Sequence, residues 1–123
     1  MRALVVDDST AIRAYLCRIL VLRGFEVAEA SNGREGLDKL REQAADLVLL
    51  DWNMPVMNGL ELLQCIRADP ALSRTCVMMV TRENDHHEIL QALEAGADEY
   101  VMKPFTPEII FDKLALLGFP VTT

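Results

Sequence analysis

The chain has 123 residues, 51% of them hydrophobic and 25% charged, which is the composition of one globular domain able to bury about two-thirds of its unfolded surface. Disorder, collagen-like repeats and a disulfide scaffold are excluded as organising themes. Nineteen Asp and Glu against twelve Lys and Arg give a net charge of −7, and no basic run could neutralise a series of phosphates, so direct nucleic-acid binding is not expected.

Short apolar runs alternate five times with stretches of helical period, the pattern of βα units. Ala3 to Val6 is the first predicted strand, and Ile12, Leu16, Ile19 and Leu20 form the apolar stripe of the helix after it. Gly24 stands where a helix C-terminal cap belongs. Phe25 to Ala30 places Glu26 and Glu29 among small and apolar residues, which suits an edge strand. Leu37, Leu40 and Ala44 predict the second helix, and the continuously apolar Leu47 to Leu50 a central strand. Leu63 with Ile66 marks the third helix, and Cys76 to Val80 the fourth strand.

An Asp85–Glu88 capping box opens the fourth helix, whose stripe is Leu90, Leu93 and Ala97 and whose C-terminal cap is Gly96. Tyr100 to Met102 is the last strand. Thr106-Pro107 then caps a helix carrying Ile110, Leu114 and Leu117. The fold class is α/β, an open, doubly wound parallel sheet whose ligands collect at the carboxyl ends of its strands.

Cys17, Cys65 and Cys76 are odd in number, widely spaced and in apolar contexts, so they read as reduced core thiols of a cytoplasmic protein. No stretch approaches the roughly twenty apolar residues of a membrane span, and no signal-peptide run follows Met1-Arg2, so membrane insertion is not expected.

The strand ends carry the chemistry. Asp7-Asp8 follows the first strand, Asp51 the third, Thr81 the fourth and Lys103 the fifth. Taken alone, Asp7-Asp8 reads equally as a helix N-cap, Asp51 as part of a polar turn, Thr81 as a strand-end threonine and Lys103 as a solvated lysine. Together they place three carboxylates on one rim, where two unit charges about 4 Å apart cost about 4 kcal/mol at an effective dielectric of 20. Oxygen ligands of this kind suit Mg²⁺, or Mn²⁺ in its place, while Lys103 and the Thr81 hydroxyl can bind phosphoryl oxygens. The constellation points to phosphotransfer.

Over essentially its whole length the sequence resembles the receiver domain of bacterial two-component response regulators. The matching segments are Leu4-Val5-Val6-Asp7-Asp8-Ser9, Leu49 through Asp51-Trp52-Asn53-Met54-Pro55 to Asn58-Gly59, Val80-Thr81, and Tyr100-Val101-Met102-Lys103-Pro104-Phe105. With residues 1–123 forming a single receiver domain and none left for an output domain, the sequence is most similar to single-domain, chemotaxis-type regulators. The resemblance implies a flavodoxin-like (βα)5 fold with strand order 2-1-3-4-5. It also implies a switch that accepts a phosphoryl group on Asp51 from a sensor histidine kinase, a phosphotransfer protein or a small phosphodonor. Such a domain is not an enzyme toward other substrates, although it catalyses its own phosphorylation and dephosphorylation.

By the same resemblance, Asp8, Asp51 and the Asn53 backbone carbonyl ligate Mg²⁺, with Asp7 acting through bound water. Thr81 and Tyr100 form the switch, and Lys103-Pro104 matches the family's cis peptide. The readout face spans about 85–95, 99–103 and 106–117. A downstream protein reads it, with the switch acting as a monomer or as a phosphorylation-dependent dimer. Arg82 departs from the small residue usual after the threonine and, with Glu83, is expected to modulate the site, since its guanidinium can reach phosphate bidentately. His86-His87 diverge in direction on a helix and read as a solvated first turn rather than a metal site. Three other readings compete. A haloacid-dehalogenase-type Mg²⁺ phosphohydrolase wants an acid where Asn53 stands, a flavodoxin-like electron carrier would not place Asp7-Asp8 against a phosphate, and a degenerate interaction module would not need the complete set Asp8, Asp51, Thr81 and Lys103.

Overall fold

The computed structural model describes residues 1–82 and 86–119, and of His86 the backbone alone. Ten elements alternate along the chain: β1 (Arg2–Val6), α1 (Thr10–Leu22), β2 (Glu26–Ala30), α2 (Gly33–Glu42), β3 (Leu47–Asp51), α3 (Gly59–Ala68), β4 (Cys76–Thr81), α4 (His86–Glu94), β5 (Glu99–Met102) and α5 (Pro107–Leu116). The five strands form one parallel sheet in the order β2-β1-β3-β4-β5. The doubly wound α/β fold is as expected.

Alternation along the buried strands sorts side chains to two faces. Leu4, Val6, Val48, Leu50, Val77 and Met79 pack with Leu37, Leu40, Leu62, Leu63 and Ile66 of α2 and α3. Ala3, Val5, Leu47, Leu49, Met78 and Val80 pack with Leu16, Ile19, Leu20, Ile110 and Leu114 of α1 and α5. Because β1, β3 and β4 are covered on both sides, they are continuously apolar, whereas edge strand β2 leaves Glu26 and Glu29 in water.

The helix ends follow their caps. Ser9, Asn32, Asn58 and Thr106 each accept a backbone N–H from the first turn, and Asn58 completes a capping box with Glu61. After α1, Gly24 has φ +86 and donates to the Val21 carbonyl while Phe25 donates to Leu20, a Schellman closure. That closure takes Phe25 out of the strand and buries its ring against Leu20 and its neighbours, so β2 starts one residue later than the apolar pattern suggests. Gly96 closes α4 in the same way.

Two stripes differ from expectation. Ala44 is exposed beyond the end of α2, because Gln43 turns extended (φ −151, ψ 112) and the change of phase sends Ala45 to the core instead. In α4, Leu90 and Leu93 are 55% and 42% exposed, while Ala92 is buried and carries the contact with the sheet. Asp85 and Glu83 lie outside the described residues, so the expected capping box does too. The three cysteines are free and only half-buried; burial pushes the Cys17 thiol up to about 11 and that of Cys76 to about 12. Among the described residues no helix is long and apolar enough to cross a membrane.

Candidate functional site

Parallel pairing brings the carboxyl ends of β1, β3, β4 and β5 to one rim. Asp51 is the last residue of β3, Thr81 the last of β4, Asp7 follows β1, and Lys103 follows β5. One carboxylate oxygen from each of Asp7, Asp8 and Asp51 lies within 4.8 Å of the other two. Lys103 Nζ donates to Asp7 Oδ2 at 3.1 Å and stands 3.6 Å from Asp51 Oδ1. The Lys103–Pro104 peptide is cis.

The three acids are not equivalent. Asp7 is fully buried, and its Oδ1 accepts the Ser9 N–H at 2.8 Å. Asp51 is nearly buried, and burial pushes its carboxyl above the ordinary carboxylate range, opposed by the charge of Lys103 and reinforced by those of Asp7 and Asp8. Asp8 is exposed. Three carboxylates facing one ammonium leave the cluster short of positive charge, and its donors are all hard oxygens. That is the donor set for a divalent cation such as Mg²⁺.

The acids open into a cavity of about 390 Å³. Asp7, Asp8, Asp51, Lys103 and Arg82 form its charged wall, and Ile12, Tyr15, Pro104 and Phe105 its apolar one. The rings of Tyr15 and Phe105 stack there with centroids 5.7 Å apart. Thr81 is buried at the end of β4 beside this wall rather than on it, its carbonyl accepting the Lys103 N–H at 2.6 Å. Asn53 is exposed in the β3–α3 turn, two residues beyond Asp51. Tyr100 is half-buried farther down β5, with Lys113 Nζ 5.5 Å from its ring centroid. His87 is exposed, while the His86 side chain and Glu83 lie outside the described residues.

Two supports escaped sequence reasoning. A Cβ on Gly59 would sit 2.2 Å from the Asp51 carbonyl oxygen, so only glycine lets α3 begin so close to the end of β3. Asn58-Gly59 stood in the sequence only as part of the segment that resembles the receiver family. Arg13 Nη1 donates to the Asp7 carbonyl at 2.7 Å, a contact between α1 and its own preceding turn that no spacing rule announces.

A sequence model described as "Response regulator receiver domain" matches residues 3–115. The chain belongs to the response regulator receiver family. It is 42% identical over 119 residues to the chemotaxis protein CheY1 of Helicobacter pylori, with 95% of this chain and 96% of that protein covered. It is 40% identical over 116 residues to the CheY homologue of Campylobacter jejuni, covering 93% and 89% of the two chains. The solved structure of CheY4 from Vibrio cholerae superposes with a TM-score of 0.88 at 34% identity, over 94% of this chain and 96% of that one. The protein is thus a receiver similar to chemotaxis CheY proteins and a phosphorylation-activated signalling switch in a two-component phosphorelay. These relatives favour none of the competing readings.

Proposed function

We propose that Asp51 is the phosphoacceptor of a Mg²⁺-dependent switch, loaded by a phosphohistidine on a sensor kinase or phosphotransfer protein, or by a small donor such as acetyl phosphate. One observation carries this reading: the clustering of Asp7, Asp8 and Asp51, with Lys103 Nζ 3.6 Å from Asp51, at an open cavity. An Asp51 carboxylate oxygen attacks phosphorus, the bond from phosphorus to the donor atom breaks, and that atom leaves with the electron pair. The product is an aspartyl phosphate, and attack by water on the same phosphorus resets the switch.

Lys103 binds one phosphoryl oxygen and the Thr81 hydroxyl donates to another, so the protein contributes position and charge rather than covalent chemistry. Asp8, Asp51 and the Asn53 backbone carbonyl would hold Mg²⁺, with Asp7 acting through water, and Mn²⁺ suits the same donors. When bound, the ion offsets the negative charge of the transferring group. Arg82, exposed on the cavity wall, tunes access of donor and water.

Thr81 pairs in register with Met102, and Tyr100 with Met79 on the adjoining strand. Drawing the Thr81 hydroxyl toward a phosphoryl oxygen frees space toward which the Tyr100 ring turns, and α4, β5 and α5 present the change to a downstream protein. The exposed Leu90, Leu93, Met102 and Ile109 give that face an apolar character suited to such a partner.

Trp52 follows the phosphoacceptor and reports on it. Its fluorescence should respond saturably to Mg²⁺ and change again with beryllofluoride, a mimic of the phosphoryl group, and Asp51→Asn should abolish the second change. A chain whose Asp51→Asn variant still responds to beryllofluoride does not use Asp51 as acceptor.

A further inference from the structure

We infer that Arg13, held in place by Glu29, is a positioning residue for the acidic site: it fixes the Asp7–Asp8 peptide and thereby aims the Asp8 carboxylate at the cation. The inference rests on the proposed reading of Asp7, Asp8 and Asp51 as a cation site.

Arg13 lies in the first turn of α1, four residues after the Ser9 cap. Its Nη1 donates to the Asp7 carbonyl at 2.7 Å and its Nε donates to Glu29 Oε1 at 3.0 Å. The Arg13 side chain is only 16% exposed and its bond to the Asp7 carbonyl is partly buried, whereas Glu29 is 51% exposed and holds the guanidinium from the solvent side. On the other side of the Asp7 Cα, the Asp7 N–H donates to the Ala30 carbonyl of β2 at 3.1 Å. One bond holds the peptide plane entering Asp7 and the other the plane leaving it, which together set both of its dihedrals.

The consequence differs for the two acids. Asp7 needs little help, because Ser9 and Lys103 already bind its two carboxylate oxygens. Asp8 is exposed, and among the described residues no donor holds its carboxylate, so its direction follows from the backbone that carries it. The plane leaving Asp7 is that backbone, and Arg13 holds it. Glu29 in turn sits on edge strand β2, where its own carbonyl accepts Lys39 Nζ. The guanidinium is therefore braced from edge strand β2, the strand whose Ala30 carbonyl also accepts the Asp7 N–H. A planar fork with two fixed donors suits this task in a way an ammonium does not.

The sign of one measurement separates positioning from charge. As a bare positive charge beside a cation site, Arg13 would oppose Mg²⁺, and its removal would tighten binding. As a brace, its removal loosens binding, and residues that orient metal ligands typically account for about 10- to 100-fold in affinity. Mg²⁺ titrations followed by Trp52 fluorescence should show Arg13→Ala and Arg13→Met at least about tenfold weaker than the wild type. Arg13→Lys, which keeps one donor for the Asp7 carbonyl, should recover part of the loss, and Glu29→Gln should lose less than Arg13→Ala. Urea unfolding in EDTA establishes that each variant is folded, and Arg13→Met, which retains the packed stem, carries the test if the alanine variant is not.

Unchanged or tighter Mg²⁺ binding by Arg13→Ala and Arg13→Met overturns the inference. A loss in Arg13→Ala that Arg13→Met, with its packed stem, does not share assigns the effect to packing of α1 and overturns it too. If instead the wild-type chain shows no saturable Mg²⁺ response, the cation-site reading itself fails, an outcome distinct from a normal wild-type response that Arg13 does not influence.

Discussion

Val56 is the only non-glycine among the described residues with positive φ, at +69. The Met57 N–H donates to the Pro55 carbonyl at 2.7 Å, which closes a three-residue γ-turn around a β-branched side chain. Val56 is 80% exposed and so gains nothing from packing to offset a conformation that costs about 1–3 kcal/mol. Val56→Gly should raise stability by about 0.5–1 kcal/mol, the relief of strain exceeding glycine's extra unfolded-state entropy. A higher urea midpoint with unchanged slope is the expected result.

Asp51 strains the molecule differently. Its carboxyl is held above the value of 3.8 that it has in an unfolded chain, so the native state binds this proton more tightly than the unfolded state does. Stability from this group is therefore greatest when it is protonated, and falls as pH rises from about that value through the native one. At neutral pH in EDTA, Asp51→Asn should melt above the wild type, and the advantage should shrink on acidification toward that window. A variant that melts lower at pH 7 would contradict this. Asp51 was legible in the sequence as a strand-end acid after four apolar residues, and Lys103 and Asp7-Asp8 were legible likewise. Gly59 and Arg13 were not, because their partners are set by how turns close rather than by residue spacing.

Among the elements, α4 shows most clearly where sequence periodicity misleads. Leu90, Leu93 and Ala97 satisfy the helical rule, yet the two leucines face outward and the small Ala92 meets the sheet. Hydropathy weights leucine over alanine, so a helix whose large apolar residues point to solvent has its stripe assigned to the wrong side. Leu90→Gln and Leu93→Gln should each change stability by less than about 0.5 kcal/mol, as exposed substitutions do, whereas Ala92→Gln should cost about 2 kcal/mol or more by forcing a polar chain into a packed site. Denaturant midpoints of the three variants decide it, and a large loss from Leu93→Gln would return the leucines to the core.

Arg67 joins elements that no local pattern connects. From α3 its Nε donates to the Gly96 carbonyl, its Nη1 to the carbonyls of Ser73 and Thr75, and its Nη2 to Asp98 Oδ2 at 2.8 Å. Asp98 also accepts the Val77 N–H, so one guanidinium ties the amino-terminal ends of β4 and β5 to α3. Arg67→Ala leaves several partly buried acceptors unpaired and should cost about 3 kcal/mol, with Arg67→Lys recovering little, because an ammonium cannot reproduce the fork. A loss below about 1 kcal/mol would show that water replaces these bonds. Gly96 and Asp98 lie 29 and 31 residues from Arg67, which explains why the strand pattern was readable and this clamp was not.

At the scale of the whole molecule, the alternation of apolar strands and amphipathic helices was enough to predict the doubly wound sheet and which strands are interior, because both follow from burial. Metal linkage at the rim depends on how the sheet converges, and it offers a test of the entire arrangement. Three carboxylates gathered within 4.8 Å store repulsion in the metal-free fold and lose it on unfolding, when they separate. A cation that binds only the native cluster stabilises by RT ln(1 + [L]/Kd), about 2.7 kcal/mol at a hundredfold excess over Kd, which for a chain of this length raises Tm by roughly 10 °C. The increment should be largely lost in Asp8→Asn and Asp51→Asn, which remove donors, and retained in Leu90→Gln, which lies on another face. It should also persist at high ionic strength with NaCl matched between samples, because screening of the overall charge of −7 would help every variant alike. An equal rise in Asp51→Asn would mean that Mg²⁺ acts on the diffuse negative surface, and the convergence of strand ends would then have no thermodynamic bearing on cation binding.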